Sequence, residues 1–407
     1  MKVFHVEFAK AGSGLSGGEK CMVEIIRYFA GKGIENIVLT TDNGKALYQS
    51  LGLKESDTIK YITIQSAWTE KIFHIFISYM IRPFLFLTVK EQIVSLIDPI
   101  EDILMCHSDF FPNSIPSYFL TGHFHKKSFF WFHMLSPDIF KGYTGHFANK
   151  FSFPNLRLIH YKLNQVLYNL ISRKGIIITV NPYYKKLFSN RDTYTLKKFG
   201  GESIYTIKKY GGIATKENSE IKIKIEYDLI FMGRFHTQKG LPEIPKILKI
   251  LKKSKKNIKL VIIGGGNPQL QKKLFGEIKR GGLSDNVHYA GFLNSDDKFE
   301  YFRKAKICIF PSYYESFGQV ALEAISNGLP VVAYDLPVYC VFKKGMIKIP
   351  NFDNNIFAEK ILRLLGDEKY YSKIKKEAID FASTFSWDKT GQEIYDLISK
   401  RSSKIYV

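Results

Sequence analysis

Short β-branched and aromatic runs alternate with amphipathic stretches along this chain, and the series runs through once and starts again near residue 227. Buried parallel strands read as such runs, and the helices that cover them supply the amphipathic period. In the first series strands are expected at 3–8, 36–40, 59–64, 103–106, 129–133, 175–180 and 203–207, with helices at 18–30 and 181–188, the latter capped by Asn181. The second series puts strands at 227–232, 259–263, 286–289, 307–310, 330–334 and 346–349, with helices at 241–252, 269–279, 298–304 and 317–326. Residues 211–226, polar and opening on two glycines, read as a linker. A length of 407 residues suits two domains. The fold class is therefore α/β: two Rossmann-like, doubly wound parallel-sheet domains, 1–210 and 227–385, facing a cleft, with ligands at the carboxyl ends of the strands.

The charge is large and uneven. Lys plus Arg is 59 against 38 Asp plus Glu, a net of +21, and residues 151–200 hold nine bases against the single acid Asp192. Such a surface suits an anionic membrane, nucleic acid or phosphorylated substrates, and equally a plain solvated face. Cys21, Cys106, Cys308 and Cys340 are far apart, without a C-x-x-C pair or His at metal-ligand spacing. Buried, reduced thiols in the cytoplasm are expected. Residues 1–10 are too short an apolar stretch, and too charged, for a signal peptide. Residues 72–89 are mostly apolar, but Arg82 and Pro83 argue against a bilayer span and for a helix, perched on a membrane interface or packed in the first domain.

After the first strand comes Gly12-x-Gly14-x-x-Gly17-Gly18-Glu19. The glycines fit a G-x-G-x-x-G loop, and Asp42, after the second strand, stands where a dinucleotide site keeps its ribose-binding acid. Glu19 excludes a Walker A loop, which has Lys there. What such a loop provides is bare backbone N–H groups at a helix start, suited to any phosphate.

The second half carries more. Its first strand ends in Gly233-Arg234, with Lys239-Gly240 following, two cations five residues apart at a strand's carboxyl end. They can clamp a diphosphate and neutralise it as it leaves. The strand at 307–310 runs into a loop with Glu315, then Phe317-Gly318-Gln319, then a helix with Glu323. Two carboxylates suit two sets of hydroxyls, one on a sugar ring and one on a ribose, and the helix start between them offers N–H groups.

In this order and spacing the Gly17-Gly18 helix start, Phe-Trp-Phe-His133, the 233–240 segment, Ile-Gly-Gly-Gly at 263–266, His-Tyr-Ala-Gly-Phe at 288–292 and the Glu315/Glu323 block resemble the family 4 type glycosyltransferases of the GT-B fold, over nearly the whole chain. The resemblance implies retaining transfer from a nucleotide sugar, with no cofactor and no bound metal, and the sequence holds no D-x-D. It implies that Arg234 and Lys239 hold the diphosphate beside Gly233 and Gly265, and that Glu323 takes the ribose hydroxyls. Glu315 and the backbone of Phe317, Gly318 and Gln319 would take the donor sugar, the Phe292 region the base, His133 the sugar 6-hydroxyl, and Gly17 and Gly18 the phosphates. Phe385-Ser386-Trp387 with residues 389–400 resembles the family's last helix, which crosses back to the first domain; residues 386–407 are assigned to it. The family's usual Asn-Gly-Val after the seventh strand is here Tyr210-Gly211-Gly212-Ile213, and its Ser cap is Asn181. The apolar stretch at 72–89 and the basic segment at 151–200 suit a glycan or lipid-linked glycan as acceptor, beside a soluble one, with an anionic membrane as a further partner, attachment to the inner membrane face, and no nucleic acid. Two other readings stand beside it: a nicotinamide-dependent oxidoreductase using residues 12–17 and Asp42, and a non-catalytic basic binding module. Both leave Arg234, Lys239, Glu315 and Glu323 idle.

Overall fold

The computed structural model describes residues 1–10, 16–66, 68–69, 75–125, 127–143, 156–200, 224–293 and 297–403. The chain divides into two compact units: Met1–Gly142 with Asn149–Phe199 and Trp387–Val407, and Tyr143–Ala148 with Gly200–Ser386.

The first unit is a seven-stranded parallel sheet of β1 (Lys2–Glu7), β2 (Glu35–Thr41), β3 (Ile59–Ile64), β4 (Ile103–Cys106), β5 (Ser128–Phe132), β6 (Ile176–Thr179) and β7 (Thr193–Thr195), in the order β3-β2-β1-β4-β5-β6-β7. Alternate residues feed opposite faces: Phe4, Val6, Ile37 and Leu39 enter one core with Phe86 and Leu120, whereas Val38 packs with Met22, Ile26 and Tyr48 on the other. β7 has only three residues, too few for a period, and the sequence did not signal it. The strand expected at 203–207, residues 210–213 and the linker up to residue 223 lie outside the described residues, as do Gly12 and Gly14.

The helix Trp387–Ser403 belongs to this unit. Gly391 lies against the Tyr28 ring, where a Cβ would come within 2.4 Å, and Glu393 Oε1 accepts from Tyr194 Oη at 2.8 Å and from the Lys197 amide at 2.9 Å. In the apolar stretch, a helix spans Ile75–Leu85 and a 3₁₀ turn Phe86–Thr88. Among the described residues no helix is long and apolar enough to cross a membrane.

The second unit is a six-stranded parallel sheet of β8 (Tyr227–Met232), β9 (Leu260–Ile263), β10 (Val287–Gly291), β11 (Ala305–Phe310), β12 (Val331–Tyr334) and β13 (Met346–Ile349), in the order β10-β9-β8-β11-β12-β13. Strand order reverses between β1 and β4 in one sheet and between β8 and β11 in the other. Those switch points are where open α/β sheets receive ligands. One expectation fails here: Cys21, Cys106 and Cys308 are buried, but Cys340 is exposed. It lies on the 3₁₀ turn Pro337–Val341, which turns Val338 and Tyr339 inward and leaves Cys340 outside.

Candidate active site

At the β8/β11 switch point the loop after β8 meets the loop after β11. The Tyr313 amide donates to the Gln238 carbonyl at 2.8 Å, tying the two loops together by their backbones. Gly240 has φ +63, and a Cβ there would stand 1.8 Å from the Pro311 carbonyl oxygen, so only glycine allows this approach. The geometry puts Lys239 against Glu315: Nζ lies 2.5 Å from Oε1, with 13% and 6% of the two side chains exposed. Nζ also sits 5.5 Å from the Phe310 ring centroid, and the Lys239 stem runs beside Gly233.

Arg234 is exposed, its Cγ close to Gly266, which again carries positive φ. Gly265 approaches Phe292, and the Phe292 ring is 72% exposed, presenting an open aromatic face beside the loop. Gly318, at φ +95, is the N-cap of the helix Gln319–Ser326, and its Cα lies against Tyr339 and Phe342. Phe317 is buried and packs on Phe342 with ring centroids 5.6 Å apart, so what it offers a ligand is backbone. Glu323, on the second turn, does not join the Lys239 pair. Its Oε2 lies 2.8 Å from Lys298 Nζ. Lys298 was invisible as a site residue from sequence, because nothing at 298 signals that its helix reaches Glu323.

In the first unit Ser16 caps the helix Gly17–Gly31 in a capping box with Glu19. Gly18 faces His133: a Cβ there would be 3.3 Å from Nε2. His133 Nε2–H donates to the His107 carbonyl at 3.0 Å, which leaves Nδ1 as the acceptor. Burial pulls this ring down from 6.5 to about 4, so it is neutral at pH 7. Behind it stand two histidines that sequence reasoning passed over. His5 Nε2 lies 2.9 Å from Asn36 Oδ1 and His5 Nδ1 lies 2.8 Å from His107 Nε2. Because an amide oxygen only accepts, each imidazole carries its proton on Nε2. His5 is likewise lowered to about 4, mainly by burial.

Buried charges hold the described residues on either side of 11–15. Lys10 Nζ, before it, pairs with Glu19 Oε1, after it, at 3.1 Å, and Arg82 Nη1 donates to the carbonyls of Phe8 and Lys10. Arg82, which counted against a membrane span, is thus a fully buried anchor for the backbone at Phe8 and Lys10. Asn113 donates to Glu7 and accepts from the Ala9 amide. Asp42 is the first residue of the helix Asp42–Ser50, which Thr41 caps, so the fold already uses it as a first-turn acid. Among the described residues no group of three or more His, Cys, Asp or Glu is placed to hold a metal ion.

Known proteins resemble the chain over part of its sequence and in its fold. The D-inositol 3-phosphate glycosyltransferase of Corynebacterium efficiens is 28% identical over 155 residues, 36% of either chain. The first curated relatives are matched over only 36% and 27% of their own lengths. Among solved structures, sucrose-phosphate synthase from Thermosynechococcus elongatus superposes with a TM-score of 0.74 at 16% identity, covering 99% of each chain. The Anabaena protein HepE, in complex with UDP and glucose, gives 0.68 at 15% identity over 98% of this chain and 99% of its own. At those identities the likeness is one of fold, the two-domain GT-B architecture. Residues 214–381 match the family described as glycosyl transferases group 1.

Proposed function

We propose that this protein transfers a hexosyl group from a nucleoside diphosphate sugar to an acceptor hydroxyl, with retention at the anomeric carbon. The Lys239–Glu315 pair at the β8/β11 switch point carries the reading. The bond from the anomeric carbon to the diphosphate oxygen breaks, and its electron pair leaves with the diphosphate. The acceptor oxygen bonds to that carbon, and its proton passes to the departing phosphate. Charge therefore grows on the diphosphate, and Lys239 and Arg234 are the cations for it.

Glu315 and the backbone of Gly318 and Gln319 are assigned to the sugar hydroxyls, Phe292 to the base, Glu323 to the ribose and His133 Nδ1 to a sugar hydroxyl. Gly17 and Gly18, which open the helix Gly17–Gly31, are assigned to phosphate through their N–H groups. No metal is assigned: the two cations and the helix N-terminus take its part, so turnover should survive EDTA, and loss restored by Mg²⁺ or Mn²⁺ would contradict this. The solved complex of HepE with UDP and glucose supports a nucleotide-sugar reading. An oxidoreductase reading would need Asp42 at a ribose, and that residue opens a helix. Thermal melts separate the two: UDP, GDP or ADP should raise the melting temperature and NAD should not.

The acceptor is assigned as a glycan, lipid-linked, at an anionic membrane surface on the cytoplasmic side. Three adjacent helices of the first unit support this: Ile75–Leu85 exposes Met80 and Phe84, Phe111–Leu120 exposes Tyr118 and Phe119, and Leu156–Ile171 exposes Leu163, Val166 and Leu170. Lys174 Nζ lies 3.9 Å from the Tyr118 ring centroid, adding positive charge beside them. Sedimentation with anionic liposomes at low salt and release at high salt is expected. A protein that stays in the supernatant would remove the membrane.

A further inference from the structure

Lys298 is the second residue of the helix Asp297–Arg303. Its ammonium lies 2.8 Å from Glu323 Oε2, with 14% of its side chain exposed and 7% of that of Glu323. It also stands 5.0 Å from the centroid of the buried Phe299 ring. The pair is thus largely withdrawn from water, where a charge left alone is costly.

A carboxylate that receives ribose hydroxyls stands near the phosphates of the same nucleotide, and like charges repel. We propose that Lys298 is a positioning residue of the nucleotide site, which holds Glu323 by Oε2 and cancels its charge toward an incoming nucleoside diphosphate. A carboxylate has two oxygens that each accept more than one hydrogen bond, so one engaged by an ammonium can still accept from hydroxyls. An ammonium suits the task because it is a compact point charge. The inference rests on the ribose role of Glu323.

The test uses whichever of UDP, GDP and ADP binds the full-length protein, and the matching nucleoside, measured by calorimetry and ligand-detected NMR. Lys298→Met keeps the stem and removes the charge. It should weaken the diphosphate roughly ten-fold, the order expected for a like charge at short range, and the nucleoside far less. Lys298→Arg should recover most of the loss. Lys298→Met in a Glu323→Gln background should cost the diphosphate nothing further, because the charge it balances is gone. Unchanged diphosphate binding in K298M would overturn the proposal. So would an equal loss for diphosphate and nucleoside that Lys298→Arg does not repair, which marks a purely structural role. If Glu323→Gln alone binds the diphosphate as wild type does, the ribose assignment has failed, a distinct result. Should K298M not fold, Lys298→Gln gives the same comparison.

Discussion

Lys239 and Glu315 form the ion pair that joins the loops after β8 and β11, their charged atoms 2.5 Å apart. An acid holds the cation, so it is preorganised and does not wander in solvent. Lys239→Ala should lower turnover roughly 100-fold at saturating donor, the scale of losing one preorganised donor to a developing charge. Near-normal turnover in K239A would remove the residue from the mechanism.

Gly240 tests the same junction through stability. Gly240→Ala should cost roughly 2–4 kcal/mol, since the left-handed backbone and the Pro311 carbonyl both oppose a Cβ. Gly282, at φ +62 with nothing within 4 Å of a built Cβ, is the control. Its alanine variant should lose only about 1 kcal/mol, the left-handed penalty alone. Equal losses in urea titrations would show that the contact with Pro311 is not what selects glycine.

Glu7 makes stability depend on pH. Burial, then the Glu19 charge, raise its carboxyl from 4.5 to about 8, against Asn113, Lys10 and Arg82. The folded state therefore holds a proton that the unfolded chain releases, so the contribution is full below pH 4.5 and is lost as pH rises to about 8. Glu7→Gln should become more stable relative to wild type across that window, by up to about 5 kcal/mol. A pH-independent difference would contradict it.

The histidines act in the opposite direction. His5 and His133 are lowered from 6.5 to about 4 by burial, and His107 is lowered further, by burial and then by the other two rings. Their contribution is present above pH 6.5 and lost as pH falls toward 4, because the unfolded chain takes protons first. In the Glu7→Gln background, urea titrations from pH 7 to 4 should show a steep loss of stability with up to three protons taken up on unfolding. A flat profile would mean the rings are charged in the fold.

The two-sheet fold was legible because buried parallel strands leave β-branched runs, and glycines at loops such as 233–240 mark backbone approaches. Arg234, Lys239, Glu315 and Gly318 were legible for the same reason: they flank a strand end. Partnerships were not. Lys239 with Glu315, Lys298 with Glu323, and Lys10 with Glu19 join residues by side-chain reach across loops, which no period encodes. His5 sits inside a strand, where the alternation reads it as one more inward residue, so its bond to His107 stayed hidden.

The central claim is that a nucleotide sugar is the donor. The purified protein, incubated singly with UDP-, GDP- and ADP-hexoses, should cleave one of them, releasing its nucleoside diphosphate, and K239A should do so about 100-fold more slowly. Cleavage of none, together with protection of the fold by NAD, would contradict the account.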